Sequence, residues 1–212
     1  MATSEPKLSR AQCRSKRAFD FCLAFVGLLM VWWLILLAFA VATIDTRSNG
    51  FFIQRRVGKG GELFRLVKIK TMRPDAAIVT TVTRSNDPRI TLLGTFLRNT
   101  KIDELPQLWN VLLGDMSFVG PRPDVPGYAD KLTGEDRAIL MLRPGITGPA
   151  TLKYRNEEDL LEVQGDAERY NREVVFPDKV KINLEYIRSW SFLGDLRYIV
   201  KTIVSAVHKN GV

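Results

Sequence analysis

Two adjacent carboxylates, Asp103 and Glu104, stand in the stretch Lys101-Ile102-Asp103-Glu104-Leu105-Pro106-Gln107-Leu108. At a helix start such a pair has an ordinary use, capping the first turn and complementing the helix dipole. It also has a chemical one. One carboxylate can attack a phosphorus atom while its neighbour holds a metal ion, with amide donors at the helix N-terminus for a phosphate group. Adjacent residues project about 100° apart on a helix, so the two need not share one ligand. The chain has one histidine, His208, and two cysteines, Cys13 and Cys22. That census removes most zinc sites and every Ser-His or Cys-His arrangement. Carboxylates, lysines and hydroxyls remain to carry any acid–base or nucleophilic chemistry. Both cysteines sit beside or inside an apolar stretch and read as small buried hydrophobes.

Arginines on restrained loops are candidates for binding phosphate: Arg98, Arg122, Arg143 and Arg155. The planar guanidinium fork suits phosphate oxygens, and the prolines flanking Arg122 reduce the entropy lost on binding. Taken singly, each also reads as a solvated surface arginine. Lys68 and Lys70 alternate on a predicted strand with Thr71 following, and their plain reading is an exposed strand face.

The elements that must position these groups follow from periodicity and turn residues. Phe51 to Gln54 and Phe64 to Lys70 read as a strand pair joined through Gly58, Gly60 and Gly61. Those glycines suit either a hairpin turn or a phosphate-cradling loop. Residues 74 to 89, with Pro74 and Pro88, read as a surface loop. Leu92 to Arg98 and Leu105 to Leu113 read as helices, the second with Asp103 as candidate N-cap and Gly114 at its C-terminal cap. Turns are expected at Gly120-Pro121-Arg122-Pro123 and Arg143-Pro144-Gly145. Near the C-terminus Leu196, Ile199, Val200, Ile203, Val204 and Val207 mark one helix face, which suits core packing or a membrane interface.

The 24 residues from Phe21 to Ile44 carry no charge. As a helix they would run roughly 36 Å, enough to cross the hydrocarbon core of a bilayer. Basic residues precede the run (Lys7, Arg10, Arg14, Lys16, Arg17) and follow it (Arg47, Arg55, Arg56, Lys59, Arg65, Lys68, Lys70). Such residues prefer the cytoplasmic side, and a straight span would force one basic flank across. A re-entrant hairpin is therefore the expected topology, with a single span as the alternative. No proline or glycine break marks mid-run, where Trp32 and Trp33 stand.

The 212-residue chain is 46% hydrophobic and 25% charged, enough for one folded domain rather than a disordered one. Its net charge of +8 points to an anionic partner, whether nucleic acid, membrane surface or phosphorylated substrate. A membrane-tethered basic adaptor for nucleic acid or anionic lipid is one reading of that charge. No nucleic-acid motif or aromatic platform accompanies it.

Several stretches in order resemble the bacterial sugar transferase family, the monotopic phosphoglycosyl transferases. They are Phe52-Ile53-Gln54-Arg55-Arg56-Val57-Gly58, Phe64 through Met72, Asp103 through Leu112, Gly114 through Pro123, and Arg143 through Gly148. The resemblance covers nearly the whole chain. It implies an α+β, mainly helical fold. A basic segment over 1–18 and a re-entrant membrane helix over 19–44 would lead into a compact cytoplasmic catalytic domain over 45–212. That domain would hold a short β-hairpin and interfacial amphipathic helices. By resemblance, Asp103 attacks the β-phosphate of a UDP-sugar, UMP leaves, and undecaprenyl (polyprenol) phosphate takes the phospho-sugar from the aspartate. Glu104 is similar to the family's magnesium (Mg2+) ligand, and Lys68, Arg98, Arg122, Arg155 and Asp195 fall at positions used around its site. The implied setting is the cytoplasmic face of the inner membrane, among membrane lipid and downstream membrane glycosyltransferases, with no nucleic acid. Family members often break the membrane helix with a Ser-Pro pair, where this sequence has Trp32-Trp33. The chain also resembles the family's minimal catalytic form, without the extra membrane helices of larger members. A catalytically silent member kept as an assembly partner is a third reading, against which the intact Asp103-Glu104 pair argues.

Overall fold

The computed structural model describes residues 8–74 and 87–208, so most of the loop expected over 74–89 lies outside the described residues. The chain opens with a 37-residue helix, α1 (Arg10–Thr46). Ser9 starts it with a reciprocal capping box: its hydroxyl accepts from the Gln12 amide at 3.2 Å and the Gln12 side chain accepts from the Ser9 amide at 2.7 Å. It stops at Arg47, whose left-handed backbone (φ 50°) turns the chain away.

Along α1 the buried residues are Lys16, Asp20, Ala24, Ile35, Ala38, Ala42 and Thr46, a single stripe at helical spacing. The three alanines let the helix lie close against the rest of the protein. Ala24 packs with Leu66, Val111 and Met116, and Ile35, Ala38 and Ala42 pack with Ile69 and Leu97. The opposite side leaves Phe21, Phe25, Leu29, Met30, Trp32, Trp33, Leu36, Leu37 and Ile44 exposed. No proline removes a bond from the i→i−4 ladder, and α1 runs unbroken. Buried residues from Lys16 to Thr46 hold it against the rest of the protein along its length.

The sheet pair is as expected. Strands β1 (Phe51–Val57) and β2 (Leu63–Ile69) are antiparallel, from Phe51 opposite Ile69 to Val57 opposite Leu63. Gly60 and Gly61 take φ of 71° and 91° in the connecting turn, which any side chain would strain. The glycines thus serve a hairpin turn. After α2 (Leu92–Asn99) comes one tight helical turn, Ile102–Glu104, and then α3 (Gln107–Leu113). Gly114 ends α3 with φ 96°. Asp103 is not the cap of α3. It sits inside the preceding turn, and Pro106, lacking an amide hydrogen, fills the first position at no hydrogen-bonding cost.

Strands β3 (Ser117–Val119) and β4 (Gly145–Thr147) form a parallel pair. Just past β3 a Cβ on Gly145 would meet the Gly120 nitrogen at 2.2 Å, so glycine alone fits. This close approach, with the Gly145 amide donating to the Pro121 carbonyl at 2.8 Å, holds the Pro121-Arg122-Pro123 loop. The remaining helices are α4 (Pro149–Lys153), α5 (Glu157–Glu162), α6 (Ala167–Tyr170), α7 (Phe176–Arg188) and α8 (Phe192–His208). The largest core joins Val57 and Val119 to Ile139, Leu140 and Leu142 and to Val180, Leu184 and Ile187 of α7. Of the apolar stripe of α8, Ile199 packs on that core, while Val200 and Ile203 are more than half exposed.

Candidate active site

Asp103 and Glu104 reach the centre of the molecule on the turn between α2 and α3. Lys101 enters that turn with a left-handed backbone, φ 60°. Glu104 is a hub: its Oε1 accepts from Lys68 Nζ at 2.9 Å and from Arg122 Nη2 at 2.5 Å. Lys68 comes from β2 and Arg122 from the proline-fixed loop after β3, so three separate elements meet on one oxygen. Burial works against a charged Glu104, but Arg122, Lys68 and Lys101 outweigh it and hold the carboxyl well below its usual range. Burial likewise lowers Lys68 against the pull of Glu104, while Glu104 raises Arg122.

Asp103 is the opposite case. It is 7% exposed, and its Oδ1 is buried without a hydrogen-bond partner. Burial, and then the charge of Glu104, push it up to about 6, with Lys68, Lys101 and Arg98 pulling the other way. A carboxylate that no donor holds keeps its lone pairs for a substrate atom.

The other expected residues distribute as follows. Arg98 donates to Thr71 Oγ1 at 3.0 Å and to both oxygens of Glu158 at 3.0 and 3.2 Å. It stands beside the pair and acts on Asp103 through charge. Arg143 donates to the Gly114 carbonyl at 2.6 Å and closes the end of α3. Arg17 does the same for the Val111 and Leu112 carbonyls at 2.6 and 2.7 Å. Arg155 donates to the Ser205 carbonyl of α8. Asp195 accepts from Lys16 at 2.5 Å, Tyr186 at 2.6 Å and Trp190 at 3.1 Å. Arg143, Arg155 and Asp195 are thus engaged in holding elements together, and among the described residues none of them hydrogen-bonds to the pair.

Two groups at the site escaped the sequence reading. Arg56, on β1, donates to the Pro123 carbonyl at 3.2 Å and keeps a buried, unpartnered Nε. Burial, and then the neighbouring Arg122, lower it to about 10. Its alternation with Gln54 and Phe52 was a usable signal. Asp124, next to Pro123, is pushed up to about 6 by burial, against Lys179 and Arg56. No spacing rule ties it to Asp103. Among the described residues no cluster of three or more metal-ligating side chains occurs.

A profile of the bacterial sugar transferase family matches residues 11–209. The exopolysaccharide production protein ExoY of Rhizobium meliloti (strain 1021) is 32% identical over 213 residues, covering 93% of this chain and 87% of that protein. A UDP-glucose:undecaprenyl-phosphate glucose-1-phosphate transferase of Caulobacter vibrioides is 34% identical, over 90% of this chain and 68% of that protein. A putative undecaprenyl-phosphate N-acetylgalactosaminyl 1-phosphate transferase of Bacillus subtilis (strain 168) is 42% identical over 57% of this chain and 68% of that protein. The family match runs through α1, the Asp103 turn and the Arg122 loop alike, and the chain belongs to the bacterial sugar transferase family.

Proposed function

We propose that this chain transfers a sugar 1-phosphate from a UDP-sugar to undecaprenyl phosphate at the cytoplasmic face of the inner membrane. The reaction runs through a covalent intermediate on Asp103 and releases UMP. One observation carries the reading: a buried carboxylate with a free oxygen stands next to a second carboxylate clamped by a lysine and an arginine. The names of the relatives point to the same substrate classes.

The steps balance in atoms and charge. An Asp103 oxygen attacks the β-phosphorus, the bridging P–O bond breaks, and its electrons leave with UMP. The undecaprenyl phosphate oxygen then attacks the same phosphorus and Asp103 departs as carboxylate. Splitting the reaction lets two anionic substrates bind in turn. Lys68, Arg122 and Arg56 offset phosphate charge that would otherwise repel the attacking carboxylate. Hard carboxylate oxygens suit Mg2+, which is commonly held by one or two carboxylates together with substrate phosphates. Glu104 has an oxygen, Oε2, that takes no hydrogen bond, and with it would hold the ion, whose charge would neutralise the diphosphate. The outer face of α1 would rest in lipid beside the acceptor's chain.

The test is UMP release from a panel of UDP-sugars by lipid-supplied protein, with Mg2+ and with or without undecaprenyl phosphate. Acceptor-dependent release that Asp103→Asn abolishes is expected, and the panel names the sugar. Undiminished release by Asp103→Asn would remove the nucleophile.

A further inference from the structure

The backbone stays helical from the Asp103 turn into α3, through Leu105 (φ −55°, ψ −36°) and Pro106 (φ −61°, ψ −18°). The hydrogen bonds of this run are of the tighter i→i−3 kind, among them the Leu105 amide to the Ile102 carbonyl at 3.2 Å and the Trp109 amide to the Pro106 carbonyl at 3.0 Å, so residues four apart lie little more than one turn apart. Asp103 and Gln107 are such a pair. Gln107 is 2% exposed, and its Nε2 is buried without an acceptor. The next buried amide on this face behaves differently. Asn110 accepts from the Val67 amide at 3.1 Å and donates to the Arg65 carbonyl at 2.7 Å and Asp115 at 3.2 Å. One amide is thus used in full to fasten α3 to β2, and the other is held unused, four residues along the chain from a carboxylate whose own oxygen is unused.

A buried donor with no partner destabilises the fold, and a hydrophobic side chain of the same size would avoid that cost. An acceptor brought by a bound substrate would give this amide its partner.

We propose that Gln107 is a catalytic residue, its side-chain amide donating to a nonbridging oxygen of the phosphoryl group that Asp103 attacks. The inference rests on the Asp103 reading above. While the Asp103–phosphorus bond forms and the bond to UMP breaks, negative charge stays on the nonbridging oxygens. A preorganised donor there stabilises the transition state without moving a proton.

The experiment compares Gln107→Met, which keeps the volume and loses the donor, with Gln107→Glu, Asp103→Asn and the unaltered chain. UMP release, formation of a covalent adduct from β-32P-labelled UDP-sugar, and thermal unfolding are measured in lipid. For Gln107→Met the expected result is a kcat lower by about 10²–10³-fold, the loss typical of one such donor, with donor KM little changed. Its Tm should be equal or higher, since an unpaired buried amide has been removed. Gln107→Glu, an acceptor beside a carboxylate, should lose as much kcat. Unchanged kcat in Gln107→Met, or a fall in Tm that accounts for its loss, overturns the proposal alone. Release and adduct formation surviving in Asp103→Asn overturn the nucleophile and this proposal with it.

Discussion

Glu104 gives one oxygen to two cations, whereas Asp103 beside it receives no hydrogen bond from any described residue. Adjacent in the chain, the two have been driven apart by their surroundings. Glu104 stays charged under the salt bridges of Lys68 and Arg122, and burial makes Asp103 the weaker acid, at about 6. An attack on phosphorus requires Asp103 deprotonated. The sign follows: below pH 6 the protonated form dominates the free protein and the rate falls, and above it the nucleophile is ionised. The kcat/KM for UMP release should therefore rise about tenfold per pH unit below pH 6 and level off towards neutrality. A profile flat from pH 5 to 8 would contradict this assignment.

The helices are located by a few buried polar ties. Lys16 and Asp20 enter the protein on the first turns of α1, beneath an otherwise apolar helix. Lys16 meets Asp195 of α8, which also takes the Tyr186 hydroxyl of α7 and the Trp190 indole. Asp20 accepts from the Phe118 amide of β3 at 3.1 Å. These bonds fix where α1 starts along the body, and hence how Gly27, Ala38 and Ala42 register against α3 and α2. Removing one member of a buried, fully used ion pair typically costs about 3–5 kcal/mol, because its partner is left charged and unpaired. Asp195→Ala should lose stability on that scale in denaturant unfolding, whereas Lys16→Met together with Asp195→Leu should recover most of it. The family resemblance places Asp195 around the active site, and in the fold it ties α8 to α1 and α7. A double variant that folds and retains activity would assign Asp195 to the fold alone.

Taken whole, the molecule leaves apolar side chains uncovered along two of its helices. The outer face of α1 exposes Trp32, Trp33, Leu36 and Leu37, each more than half uncovered, and α8 adds Leu193, Val200 and Ile203. Apolar surface of this extent marks a membrane or partner contact rather than a face built for water. In the function proposed above, α1 lies along the domain instead of standing out from it, and its outer face is the one that meets lipid. Replacing Leu36 and Leu37 by aspartate should cut flotation with phosphatidylglycerol–phosphatidylethanolamine vesicles at least tenfold while the Tm holds. Each buried charge costs about 2.5–3.5 kcal/mol at full depth. Unaltered flotation would show that lipid contacts another face.

The sequence by itself determined much of what depends on near neighbours, though not the start of α3, where Pro106 and not Asp103 is the cap. The hairpin with Gly60 and Gly61, the end of α3 at Gly114, the apolar run of α1 and the Asp103-Glu104 pair all follow from side-chain period, left-handed backbone or local motif. It also carried the family, since the motifs lie in order along nearly the whole chain. What it left open was which distant side chain meets which. Arg122 and Arg143 look alike in sequence, each beside a proline at a turn, yet one salt-bridges Glu104 and the other closes a helix end. An arginine's long side chain serves any carboxylate or carbonyl within reach, so only the pairing of β3 with β4 decides between them. Gln107 shows the same limit from the other side. Its spacing from Asp103 was on view, but an unpaired amide is defined by everything packed around it, and that is a property of the tertiary structure alone.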